Sequence, residues 1–107
     1  MAIAIHQTDE VLHFEGPVRL DILLARRTVS RQMLVRAKAS PVLPVKCLEA
    51  EDLIGLKIQA YCNDRRRELQ DKADIQFLIH RYPNLDWKRI KFYADAFDQW
   101  SEIEKLK

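Results

Sequence analysis

Glycine is scarce in this sequence, with only Gly16 and Gly55 among 107 residues. Glycine-rich phosphate-binding loops need several glycines at short, fixed spacings, so both the dinucleotide-binding fingerprint and the P-loop are excluded.

Cysteine and long apolar runs are limited as well. Cys47 and Cys62 are the only cysteines, and two free thiols are typical of a cytosolic protein. No apolar run approaches the roughly 20 residues that cross a bilayer. The apolar start Met1–Ile5 is too short for a signal peptide. We therefore expect a cytoplasmic protein without a membrane partner.

The charge balance is nearly even, with 18 basic and 16 acidic residues giving a formal charge of +2. Nucleic-acid-binding domains are usually strongly basic, so overall charge does not indicate a nucleic acid partner. A polyanion such as tRNA would have to be recognised locally.

The length predicts one domain, 1–107, in two parts. Residues 1–48 are expected to be mainly strands with one short helix, and residues 49–107 three helices. The strand candidates are 2–5, 11–14, 18–24 and 42–48, and the short helix is 30–39 with Ser30 as its cap. The pattern predicts an α+β fold in which a small mixed sheet precedes a helical cluster.

The three later helices follow from apolar spacing and end signals. The first is expected at 50–63 and the second at 66–81, where Tyr82-Pro83 follows. Asn84 or Asp86 can cap the third helix. Its apolar positions recur at helical spacing: Ile90, Tyr93, Phe97 and Trp100.

Lys57 is the residue that most clearly breaks the pattern. At about 100° per residue, it lies in the middle of an apolar arc, between Leu53 and Tyr61. Such a lysine can extend its ammonium group to water, form a structural ion pair or bind an anion such as phosphate.

Asp71 and Asp74 are three residues apart, so they are neighbours on the second helix. Lys57 is the obvious partner for one of them. They are either part of a structural ion pair or a carboxylate pair that orients a catalytic lysine.

Three other features have both an ordinary and a functional interpretation. Asp21 in the strand 18–24 is either on a solvated face or a ligand for a hard cation such as Mg²⁺. Arg65 and Arg66 lie in a basic run that is either a solvated corner or a phosphate contact. The three histidines share no ligand spacing, so a histidine metal site is not expected.

Taken in order, segments between residues 18 and 80 resemble polymerase-β-type nucleotidyltransferases of abortive-infection and toxin–antitoxin systems. The strand 18–24 is similar to the one that carries the family's third carboxylate. The segment 44–57 resembles the next part of these proteins, in which a strand leads into a helix that starts with acidic residues and carries a lysine between apolar residues. Asp71-Lys-Ala-Asp74-Ile75 resembles the family's Asp-x-x-Asp-Ile motif.

The resemblance implies a partial nucleotidyltransferase fold and a reaction that uses Mg²⁺ and a nucleoside triphosphate. It implies Asp21 as the metal ligand and Lys57, Asp74 and Asp71 as catalytic residues. Arg65 and Arg66 would contact the nucleotide.

This sequence departs from the family pattern, because the Gly-Ser helix start and the Asp-x-Asp strand are absent and Gln70 replaces a basic residue. We therefore expect a truncated or split nucleotidyltransferase-like protein that does not catalyse alone. The alternative is a non-enzymatic binding module or toxin–antitoxin partner. The expected partner is a second copy in a homodimer, or a complementary N-terminal half.

Overall fold

The computed structural model describes residues 10–14, 20–24, 28–39 and 46–107, with the backbone alone at 10–14, 20–24, 28 and 46. The chain divides into two units, Met1–Cys47 and Leu48–Lys107.

The first unit contains two strand pairs and a helix. Strand β1 (Glu10–Phe14) pairs antiparallel with β2 (Leu20–Leu24), with Phe14 opposite Leu20. Helix α1 spans Thr28–Arg36. Strands β3 (Lys38–Ala39) and β4 (Lys46–Cys47) form a second antiparallel pair.

The expected α+β fold, a small mixed sheet followed by a helical cluster, is wrong, and so is the partial nucleotidyltransferase fold. The described residues are mostly helical, and their strands form two separate antiparallel pairs. A two-stranded sheet is only marginally stable by itself. It is too small to form the sheet layer against which helices pack in an α+β fold. Alternating apolar residues indicate strands but not how many of them pair.

Several predicted elements of the first unit differ or fall outside the described residues. Helix α1 begins at Thr28 and ends at Arg36, so Ser30 lies inside the helix, where it is buried, and does not cap it. The strand predicted at 2–5 lies outside the described residues. Of the strands predicted at 18–24 and 42–48, only β2 and β4 fall within them.

The second unit is a cluster of helices. Helix α2 has the bounds predicted from the sequence, Ala50–Asn63. A short 3-10 helix at Arg65–Arg67 leads directly into α3, Glu68–Arg81. Helix α4 (Trp87–Ala96) is capped by Asp86, whose side chain accepts hydrogen bonds from the backbone N–H groups of Lys88 and Arg89.

The predicted third helix is interrupted before Trp100. Asp98 has φ 56°, in the left-handed region that aspartate tolerates better than most residues. The Gln99 N–H donates to the Ala94 carbonyl at 2.8 Å, which ends α4. A separate helix, α5, then spans Trp100–Glu104.

Helix α2 is the centre of this unit, because it packs against both α3 and α4. Its buried face meets apolar side chains of the neighbouring helices. The core residues are Ile54, Ile58, Tyr61, Ile75, Ile90, Tyr93, Ala94 and Ile103. None of the helices in the described parts of the chain has the length and apolarity needed to cross a membrane.

Candidate functional site

Lys57 lies on the buried side of α2, where only 7% of the residue is exposed. Its Nζ atom donates a hydrogen bond to Oδ2 of Asp74 at 2.9 Å and lies 3.6 Å from Oδ1 of Asp71. An unpaired ammonium group would be costly in this position. The structure therefore brings together the three residues that the sequence predicted as catalytic, and they join α2 to α3.

Asp71 is the innermost member of this cluster, with no exposed surface. Arg67 donates to both of its oxygens, from Nε to Oδ2 at 3.1 Å and from Nη2 to Oδ1 at 3.4 Å. This forked geometry matches guanidinium to carboxylate. In the sequence, Arg67 stands out only as the last residue of the basic run 65–67, although its separation of four residues from Asp71 is the helical spacing for an ion pair.

Asp74 is the member nearest to solvent, with 26% of its side chain exposed. Its second oxygen, Oδ1, accepts a hydrogen bond from Gln70 Nε2 at 2.8 Å. Gln70 thus contributes a neutral donor to the cluster. The two oxygens of Asp74 are held by different side chains.

Arg65 and Arg66 form local ion pairs. Arg65 Nη1 lies 2.6 Å from Glu68 Oε1, and Arg66 Nε lies 3.0 Å from Asp64 Oδ1. These hydrogen bonds hold the pKa values of Asp64 and Glu68 below their usual range. The side chain of Arg66 is 91% exposed. This geometry fits a solvated corner better than a nucleotide contact beside Lys57.

Asp21 lies in β2, opposite His13, and its side chain is outside the described residues. Its predicted role as a metal ligand stays a prediction. Within the described parts of the chain, no group of three or more His, Cys, Asp or Glu side chains could hold a metal ion.

A second polar cluster, which sequence analysis missed, joins α2 to α4. The carboxylate of Asp52 is fully buried and accepts a hydrogen bond from the Tyr93 hydroxyl at 2.5 Å. Arg89 Nη1 lies 3.5 Å from Asp52 Oδ1 and 3.1 Å from Glu49 Oε1. In the sequence, Asp52 stands out only as one of the acidic residues at the start of a helix.

Among the residues that the structure describes, the Lys57 cluster contains equal numbers of positive and negative side chains. Two cations, Lys57 and Arg67, face two carboxylates, Asp71 and Asp74, over 2.9–3.6 Å. A phosphate would have to displace Asp74 from the lysine, and Mg²⁺ would have to displace the cations from the carboxylates. This donor set therefore does not fit Mg²⁺ or a triphosphate, and it is suited to hold two helices together.

Comparison of the chain with known protein families, with curated proteins and with solved structures found no match.

Proposed function

We propose that this chain does not transfer nucleotides by itself and acts as a non-enzymatic binding module, of the kind that serves as a partner in toxin–antitoxin systems. The contact of Lys57 with both Asp71 and Asp74 carries this proposal. The residues that resemble the family's motifs lie next to each other, and the ammonium group of Lys57 pairs with the carboxylates of Asp71 and Asp74.

The physical argument against catalysis concerns the carboxylates. Metal-assisted phosphoryl chemistry needs acidic ligands that can coordinate the cations. Asp71 is buried between Lys57 and Arg67, and Asp74 already accepts hydrogen bonds from Lys57 and Gln70. The Gly-Ser and Asp-x-Asp motifs are absent from the sequence. Both the binding loop and the principal metal ligands would be missing.

Nucleotide transfer and binding test this proposal. The wild-type chain is incubated with Mg²⁺ and each nucleoside triphosphate labelled at the α-phosphorus, and its melting temperature is measured with and without these ligands. We expect no incorporated label and no rise in melting temperature, because a ligand raises it only by binding the folded state.

If the wild-type chain does incorporate label, three variants test whether the incorporation depends on the Lys57 cluster. Incorporation that is lost in Lys57→Ala and Asp74→Ala but kept in Lys72→Ala would overturn the proposal. Lys72 is a matched control because it is also a lysine that pairs with two carboxylates, those of Glu68 on α3 and Glu102 on α5, and it lies outside the Lys57 cluster.

A split enzyme is the second candidate, favoured by the partial exposure of Asp74. A second chain that carries the Gly-Ser and Asp-x-Asp motifs could reach the cluster there. A mixture of the two chains would then incorporate label, and Asp74→Ala in this chain would abolish the activity. A mixture that is inactive although the chains bind each other would exclude the split enzyme.

A further inference from the structure

Two tryptophan rings lie side by side in the second unit, where α4 and α5 begin. Trp87 is the first residue of α4, and Trp100 is the first residue of α5. The centroids of the two rings are 6.3 Å apart, and the planes of the rings are inclined at 66° to each other. Rings inclined in this way form two walls of a corner, and we call Trp87 and Trp100 the tryptophan corner.

The helices that carry the two rings are fixed by core residues. Ile90 and Ile103 each follow one of the tryptophans by three residues, and neither has any exposed surface. At the start of α5, Oε1 of Gln99 accepts a hydrogen bond from the Tyr61 hydroxyl at 2.8 Å, which connects this helix to α2. The walls of the corner are therefore in place before a ligand arrives, and a preorganised site loses less free energy when it binds.

An ammonium group of the chain itself occupies the tryptophan corner. Nζ of Lys107 lies 4.3 Å from the centroid of the Trp87 ring and 5.1 Å from the centroid of the Trp100 ring. Both distances are within the range of about 6 Å over which the face of an aromatic ring attracts a cation. The corner therefore has the geometry to hold an ammonium group against two rings at once.

Lys107 is an occupant that a ligand can displace. The residue is exposed and both tryptophans are partly exposed, so the corner is accessible from solvent. An exposed contact between a cation and a ring shifts an equilibrium by only about two- to fivefold. Competition with Lys107 therefore lowers the affinity of a ligand by a similarly small factor.

A second lysine beside the corner has its own carboxylate partner. Nζ of Lys91 lies 5.7 Å from the centroid of the Trp100 ring and 2.7 Å from Oδ2 of Asp95. Because Asp95 offsets the charge of Lys91, a cation that replaces the ammonium group of Lys107 does not meet an uncompensated charge from Lys91.

We propose that the tryptophan corner binds a methylated ammonium group, as in choline or trimethyllysine, in exchange for the ammonium group of Lys107. A lysine ammonium group is compact and strongly hydrated. A methylated one keeps the positive charge and places methyl groups against the rings, and proteins bind quaternary ammonium ligands with aromatic side chains arranged in this way. The inference goes beyond the proposed binding role and does not depend on it.

Intrinsic fluorescence tests this inference, because Trp87 and Trp100 are the only tryptophans in the sequence. The full chain is titrated with choline and, separately, with dimethylbutanol, the neutral analogue in which a carbon atom replaces the charged nitrogen. Sodium chloride keeps the ionic strength constant. We expect a saturable change with choline and binding of dimethylbutanol that is roughly fivefold weaker or more, because the faces of the rings attract only the cation.

Variants of the two rings assign the binding to the tryptophan corner. Trp87→Leu and Trp100→Leu should each weaken choline binding roughly fivefold or more, whereas Trp87→Phe, which keeps a ring, should weaken it less. Saturation-transfer NMR of the choline methyl groups follows binding in these variants, and circular dichroism verifies that each is folded.

A variant of Lys107 tests the exchange. Lys107→Ala should tighten choline binding about two- to fivefold, because the internal competitor is removed. Lys105→Ala is the matched control. It removes the same charge two residues away, from a lysine that pairs with Glu102, and should leave the affinity nearly unchanged at physiological salt, which screens exposed charges.

Two peptides identify the source of the methylated ammonium group. One carries trimethyllysine, and the other carries unmodified lysine at the same position. Tighter binding of the trimethyllysine peptide than of choline would assign the corner to a methylated partner protein, and tighter binding of choline would assign it to a small molecule. Either result supports the inference.

Four results would overturn the inference: no saturable fluorescence change with choline, equal affinities for choline and dimethylbutanol, equal affinities for the two peptides, or an affinity for choline that Lys107→Ala leaves unchanged or lowers. Nucleotide incorporation would contradict the proposed function but not the choline titration, so the two can fail separately.

Discussion

Gly55 lies directly against the ring of Tyr93 where α2 and α4 approach each other. A Cβ atom at Gly55 would be 2.5 Å from Cδ2 and 2.7 Å from Cγ of that ring. The ring cannot easily move aside, because its hydroxyl donates a hydrogen bond to the buried carboxylate of Asp52. The close approach of the two helices thus requires a residue without a side chain at position 55.

Gly55→Ala is therefore expected to destabilise the protein. Alanine in a helix is normally favoured over glycine by about 1 kcal/mol, but overpacking a filled core costs about 1–3 kcal/mol. We expect the clash to win and the free energy of unfolding in urea to fall. The penalty should shrink in a Tyr93→Leu background, where the ring is absent. A higher stability of Gly55→Ala in the wild-type background would contradict the close contact.

Lys57→Met is expected to lower the free energy of unfolding by about 3 kcal/mol, because it removes one partner of a buried ion pair. Asp71 would keep Arg67 as a partner but lose the nearby ammonium group. Lys72→Met is the control, since Lys72 pairs with half-exposed glutamates and such pairs contribute about 0–1 kcal/mol. Equal losses in the two variants would mean that the Lys57 cluster does not hold α2 to α3.

The parts of the site that could be predicted depend on short-range patterns. The apolar arc around Lys57 and the acidic residues at the start of the helix sufficed to place α2 at Ala50–Asn63. The contact of Lys57 with Asp74 was also foreseeable, because a lysine inside an apolar arc needs a carboxylate, and Asp71 and Asp74 lie on the next helix. Their proximity does not establish the catalytic roles implied by the resemblance.

The parts that could not be predicted depend on long-range packing. Asp52 and Tyr93 are 41 residues apart, and nothing near Asp52 in the sequence marks it as buried. The fold class was wrong for a related reason. Strand patterns in residues 1–48 indicated β1, β2 and β4, whereas β3 lies within the helix predicted at 30–39. The number of strands that pair is decided by contacts distant in sequence.

Cys62 is expected to react with iodoacetamide more slowly than Cys47. Burial raises the pKa of the Cys62 thiol, which leaves less of the reactive thiolate at neutral pH, whereas Cys47 is exposed. Mass spectrometry of the Cys47→Ser and Cys62→Ser variants would give the two rates separately. In urea the rates should converge. Equal rates in the folded protein would show that Cys62 is as accessible as Cys47.

Glu102 is expected to make stability depend on pH in the acidic range. Hydrogen bonds from Lys105 and Lys72 lower its pKa in the folded protein below the value of a free glutamate. A carboxylate with a lowered folded-state pKa stabilises the protein above its unfolded-state pKa, and that contribution disappears as the pH falls through the folded-state value. The free energies of unfolding of wild type and Glu102→Gln in urea should therefore differ at neutral pH and become equal in acid.

Glu104→Gln is the control, because Glu104 is exposed on the same helix and its replacement should leave the unfolding free energy nearly unchanged. A difference between wild type and Glu102→Gln that grows as the pH falls would have the wrong sign for these hydrogen bonds.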